Sequence, residues 1–156
     1  MCVDYDPPNV WRETTRRARK PHHCDECGRT IQPGETYRTC VGLTDHWYGN
    51  KSCGQCTAAL HWLTVVCRGY LLGDILDELA QHTEEPHPIS TLALARLVVR
   101  MRKKWLRRDG TLWPVDDIEQ LVNQALTPWL EWDRERDAIQ RFNWAVREFE
   151  RAKQAA

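Results

Sequence analysis

Two Cys-x-x-Cys pairs, Cys24/Cys27 and Cys53/Cys56, constrain this chain more than any other feature. Two such pairs supply the four thiolates of a closed tetrahedral zinc shell. The expectation is one structural zinc ion held by Cys24, Cys27, Cys53 and Cys56. Disulfides are the competing use of cysteine. Seven cysteines is an odd number, and the opening MCVDYDPPNV lacks the apolar run of an export signal, so a reducing, cytoplasmic setting is expected. Cys2, Cys40 and Cys67 fall in no recognisable spacing; Cys40 and Cys67 read as small buried hydrophobes, Cys2 as a loose terminal residue.

The residues around the pairs add local structure. Gly28 permits a tight turn at the metal, and Ile31, Pro33, Gly34 and Tyr37 read as strand, turn and strand. After Cys56 the pattern turns helical through Leu60, Leu63 and Val66, placing Cys53 and Cys56 in the turn that enters a helix, where the positive helix end favours thiolate. Knuckle, hairpin and a helix carrying the last two ligands resemble the treble-clef zinc finger, over about a quarter of the chain. That resemblance implies a metal, not a task.

At 156 residues the chain is one ordinary domain or a small metal module with a helical extension. Its 22 basic and 22 acidic residues cancel, so attraction to nucleic acid must rest on a local patch. No apolar run approaches a membrane span, and a soluble protein is expected. Eight Trp against two Phe is a weak sign of partner binding.

Three regions are expected: an irregular arm over 1–23, a zinc finger with a long spine helix over 24–82, and a helical region over 83–156. The fold class is mainly α with a small zinc-bound β-hairpin, a treble-clef-like finger followed by a helical bundle. In the arm, Arg16, Arg17, Arg19 and Lys20 read as solvated surface, and His22 and His23 are surplus to a shell that four cysteines complete. The spine helix is expected to run toward Gln81, with Gly69 and Gly73 marking either close helix approach or a break. Thr83 to Pro88 reads as a linker.

The next helix is expected from Ser90 or Thr91 to a stop before Gly110, with Leu94, Val98, Met101 and Trp105 as its core stripe. Arg96, Arg100, Lys103, Lys104 and Arg107 form a cationic strip opposite, with no acidic residue between Glu85 and Asp109. Asp116 and Glu119 resemble a capping box opening a short helix, and Thr127 and Pro128 restart the chain as another. In that last helix Trp132, Ile139, Phe142, Val146 and Phe149 keep a heptad-like stripe, suited to packing within the chain or on a second copy, the former being expected. Trp144 lies off the stripe.

The Asp45-His46 pair admits a metal-dependent nuclease of the His-Asn-His type, which can also carry two Cys-x-x-Cys pairs. Only six residues separate His46 from Cys53, leaving no room for the helix such a site needs, although Asn50 falls in the gap. The alternative is a polar hairpin tip with His46, Trp47 and Tyr48 as a contact patch.

The arm ending RKPHHCDECGRTIQPGETY, the helix with GYLLGDILDEL and the segment LALARLVVRMRKKWLRRDGTLWPV make residues 1–115 similar to small accessory proteins encoded by bacteriophages and prophages. The resemblance implies a role inside the bacterial host cell without specifying it. A closed four-thiolate shell has no open position, and neither a nucleophile elbow nor a phosphate-cradling glycine loop is present, so no catalysis is expected. The expected function is binding of a host protein, to inhibit or redirect it, through Trp47, Tyr48, Trp144 and the cationic strip. Nucleic-acid binding through the strip is the alternative, and a homodimer is compatible with the last helix.

Overall fold

The computed structural model describes residues 10–43, 45–84 and 91–154, and at 145, 146 and 148–154 the backbone path alone. It contains four helices and two small antiparallel sheets. Strand β1 (Val10–Arg17) pairs along its length with β4 (Thr36–Leu43), from Val10 opposite Leu43 to Arg17 opposite Thr36. Strand β5 (Trp47–Cys53) lies on the other side of β4, giving the order β1-β4-β5. The second sheet joins β2 (His22–His23) to β3 (Thr30–Ile31).

Two expectations are corrected here. The arm is not irregular from Val10 onward, because its β-branched and aromatic residues suit a pleated surface and β4 offers a free edge. Residues 1–9, including Cys2, lie outside the described part. The strands at Ile31 and Tyr37 do not pair with each other: β3 closes back on β2 around the first cysteine pair, while β4 turns into β5 and leads to the second.

Helix α1 (Gly54–Cys67) ends at Arg68, whose φ of 59° is left-handed, and α2 (Ile75–Glu84) begins after Gly73 at φ 91°. The long spine helix is therefore two helices. A left-handed residue cannot continue a right-handed helix. The loop between them is pinned by the Gly73 backbone N–H, which donates to the Glu26 carboxylate at 3.1 and 3.2 Å, and by the Leu71 N–H, which donates to Glu78. Thr83 and Glu84 belong to α2, and the rest of the expected linker lies in the undescribed 85–90.

Helix α3 (Leu92–Arg102) starts where the sequence suggests, with the Thr91 hydroxyl accepting from the Leu94 N–H at 3.0 Å. It stops eight residues before Gly110. Lys104 and Trp105 then both take left-handed backbone, at φ 54° and 64°, and a bridge pairs Leu106 with Leu112. Leu94, Val98, Met101 and Trp105 are all buried as expected, but Trp105 reaches the core through the turn and not along the helix.

Helix α4 (Val115–Gln154) is one 40-residue helix with Pro128 inside it, so the expected restart at Thr127 does not occur. It opens at Val115, which puts Asp116 in the first turn instead of at a capping-box N-cap. Ile118, Leu121, Val122, Ala125 and Leu126 face α1 and α3 and are buried. The same core runs without interruption from Cys24, Ile31 and Cys56 through Trp62, Leu63 and Leu79 to Trp105 and Leu126. Metal module and helices thus share one hydrophobic interior. Among the described residues, no helix is long and apolar enough to cross a membrane.

Candidate metal centre

The four cysteines converge from two directions. Cys24 and Cys27 sit in the turn between β2 and β3, where the Gly28 N–H donates to the Cys24 carbonyl at 2.9 Å and Gly28 takes φ 69°, a conformation that costs a side-chain-bearing residue. Cys53 closes β5 and caps α1, and Cys56 lies in the first turn of that helix. Asp25 joins the two halves: its backbone N–H donates to the Lys51 carbonyl at 2.9 Å and its carboxylate accepts from the Lys51 N–H at 2.6 Å.

All four Sγ atoms lie within 4.8 Å of one another, with Cys24 to Cys56 at 3.8 Å and Cys27 to Cys53 at 3.9 Å. A tetrahedron with metal–sulfur bonds of about 2.3 Å has edges of roughly 3.8 Å. The spacing therefore fits a single metal ion of that kind. Cys24, Cys53 and Cys56 are fully buried and Cys27 half-buried. The charge argument agrees. Hydrogen bonds from Cys27, Cys53 and Cys56 pull the Cys24 thiol far down, while burial pushes Cys56 well up, so four thiols this close do not all ionise without a cation among them. Four sulfurs fill a tetrahedral shell, leaving no position for a substrate.

Two residues that sequence reasoning did not assign to the centre support its sulfurs. The Trp105 indole Nε1 donates to Cys56 Sγ at 3.2 Å, from a fully buried ring. Arg29 is buried beside Cys53; its two terminal nitrogens bond both Glu35 oxygens at 2.9 and 3.1 Å, the Thr30 carbonyl at 2.9 Å and Gln55 Oε1 at 2.8 Å. Burial opposes the guanidinium charge, but the Glu35 carboxylate and the Cys53 thiolate overcome it and hold Arg29 firmly charged. The Cys53 backbone N–H adds a bond to Cys24 Sγ at 3.3 Å. Donors aimed at thiolates offset part of the negative charge of a four-sulfur site. The only sequence signal was proximity for Arg29, two residues past Cys27; Trp105 had none.

The other cysteines and histidines are placed elsewhere. Cys40 is buried in β4, and burial pushes its thiol up to about 11, so it behaves as a small hydrophobe. Cys67 is half-buried and packs against the core, with its Sγ 3.3 Å from His82 Nε2, so the expectation of a small buried hydrophobe holds only in part. His22 stacks on Tyr37 at 5.0 Å between centroids, and His23 is exposed. Asp45 and His46 sit exposed at the β4–β5 tip, whereas Asn50 is buried and donates to Glu26 at 2.9 Å.

The expected partner surface divides. Arg100 and Arg107 flank the Trp113 ring at 3.7 and 4.5 Å, and Arg107 also pairs with Asp117 at 3.0 Å. Lys104 is exposed but donates to the Gly28 carbonyl at 3.3 Å. Arg96 and Lys103 face solvent. The cationic strip is thus not one free face, because α3 ends at Arg102 and two of its arginines clamp an aromatic ring. Trp47 is 63% exposed on β5, while Tyr48 lies across Gly42, where an added Cβ would meet its ring at 2.3 Å. Trp144 is exposed on α4.

A cavity of about 670 Å³ opens between β4, α1 and α4, lined by Arg29, Glu35, Arg38, Gln55, His61 and Glu119. Its principal charges are committed: Arg29 to Glu35, and Arg38 to Glu13 and Tyr70. Comparisons with family models, with curated proteins and with solved structures each return no match.

Proposed function

We propose that this chain is a non-catalytic, zinc-stabilised accessory protein of the phage type that binds an acidic host protein, inhibiting or redirecting it. The metal is zinc, in a treble-clef-like finger: a Cys24/Cys27 knuckle, the β4–β5 hairpin, and α1 carrying Cys53 and Cys56. Supporting this reading, Cys24, Cys53 and Cys56 sit inside the core and Cys27 packs against it, where the ion's work is structural.

One observation carries the partner assignment. The outward face of α3 and its C-cap residue present Leu92, Arg96, Val99 and Lys103 at spacings of four, three and four, with Leu92 67% and Val99 48% exposed. Exposed Leu106 extends the patch past the helix end. Phosphate-binding surfaces are dominated by cations, whereas large apolar side chains interleaved with two free cations suit an amphipathic protein surface of acidic character. Withdrawal of Arg100 and Arg107 to Trp113 lowers the face's charge further.

The test is affinity capture from host-cell lysate, with and without nuclease, using wild type, a Leu92→Ser/Val99→Ser pair and an Arg96→Glu/Lys103→Glu pair. The expected result is a defined protein that survives nuclease and is lost with either pair. Recovery that disappears with nuclease would overturn the reading in favour of a nucleic acid.

A further inference from the structure

Helix α4 continues well past the last of its buried apolar side chains. At 1.5 Å per residue its 40 residues span about 60 Å, and only the part through Leu126 contributes fully buried apolar side chains. From Arg134 to Trp144 every residue is exposed, including Ile139 at 60% and Phe142 at 68%. Of the stripe expected to pack within the chain, Trp132 is half-buried, whereas Ile139 and Phe142 do not pack on it. Helices in water owe most of their stability to a packed apolar face, and between Arg134 and Trp144 the described side chains of α4 form none within their own chain.

The sequence of this half specifies what would cover it. With Ile139 at heptad position a and Phe142 at d, Val146 and Phe149 take the next a and d, Glu135 falls at the preceding d and Lys153 at the following a. Ala138, Ala145 and Ala152 all fall at g, and Arg136, Asn143 and Glu150 at e. In a parallel pair, Glu135 would face Glu135 and Lys153 would face Lys153 in the seam, and no e–g pair would join opposite charges. An antiparallel pair reverses every term. Ile139 meets Phe149 of the second copy, Phe142 meets Val146, and Glu135 meets Lys153. Along one edge Arg136 faces Glu150 twice across the two-fold axis, and along the other alanines face alanines, allowing close approach. Arg136 otherwise bonds Asp133 of its own helix at the surface, an arrangement that costs little to exchange.

We infer that the distal half of α4 pairs antiparallel with the same segment of a second copy of this chain, making the protein a homodimer joined through residues 135–153. This pairing does not depend on the function proposed above.

The test is sedimentation equilibrium of the full-length, metal-loaded chain across micromolar concentrations. Wild type should sediment at twice the 18.3 kDa chain mass. Phe142→Asp, at a site already exposed in the single chain, should sediment as a monomer that still unfolds cooperatively on heating. Arg136→Glu and Glu150→Arg should each weaken dimerisation roughly tenfold, and the double exchange should restore it. A monomeric wild type, a dimer indifferent to Phe142→Asp, or single charge changes without effect would overturn the inference.

Discussion

The Trp105 indole donates a hydrogen bond to Cys56 Sγ across 3.2 Å, tying the turn after α3 to a thiolate 49 positions earlier in the chain. The left-handed backbone at Lys104 and Trp105 delivers the ring there, and Lys104 reaches the Gly28 carbonyl from the same turn. The helical region therefore completes the surroundings of the four-cysteine cluster. Trp105→Phe keeps most of the ring and removes the donor. It should lower stability by about 1–2 kcal/mol and speed metal loss to a competing chelator, followed with a colorimetric zinc indicator. Unchanged release kinetics would show that the bond is incidental.

Arg29 is the second support. Lysine keeps the charge but cannot bond both Glu35 oxygens, the Thr30 carbonyl and Gln55 at once. Arg29→Lys should cost about 2–3 kcal/mol in urea unfolding of the metal-loaded protein, more than Arg17→Lys, whose bond to the Gly34 carbonyl is exposed. Equal losses would mean that burial adds nothing.

Glu78 supplies a pH dependence. Burial pushes its carboxyl above the ordinary 4.5, Asp74 nearby adds to the rise, and the Leu71 N–H opposes it. A raised folded-state value means that the fold holds the proton more tightly than the unfolded chain. The stabilisation is complete below the unfolded value and is lost as pH rises through the folded one. At neutral pH the ionised group is a cost that glutamine lacks, while a glutamine oxygen can still accept from Leu71. Glu78→Gln should thus melt higher than wild type at pH 8, with the gap narrowing toward pH 5. A constant gap across that range would contradict the assignment.

Continuity of α4 through Pro128 is testable by its removal. A proline inside a helix deletes one backbone bond and crowds the preceding turn, whereas at a helix start it costs nothing. Pro128→Ala should raise stability by about 1–3 kcal/mol and increase helical circular dichroism. No change would place a helix start at that point.

What was legible in the sequence follows the range of the interactions. The ligand pairs, the Thr91 cap and the inward stripe Leu94, Val98 and Met101 depend on neighbours within a turn or two, and they were readable. The β1-β4-β5 order was not, because β1 finds its partner across the whole knuckle. Arg68 gives no sign of taking left-handed backbone, so the end of α1 was invisible while the Gly69 and Gly73 pair left a break open. Pro128 gave a clear but misleading signal, since packing of Ile118 to Leu126 sets the helix axis and outweighs a local penalty. In the centre, the sulfurs were legible and their donors were not, because Trp105 arrives through tertiary structure alone.

The central claim is that Cys24, Cys27, Cys53 and Cys56 hold one zinc ion on which the fold depends. It is tested most directly by elemental analysis of protein purified with its thiols intact, paired with circular dichroism before and after a strong chelator. The account predicts one zinc per chain and loss of cooperative thermal unfolding on chelation. A chain that contains no metal and still melts cooperatively would contradict it.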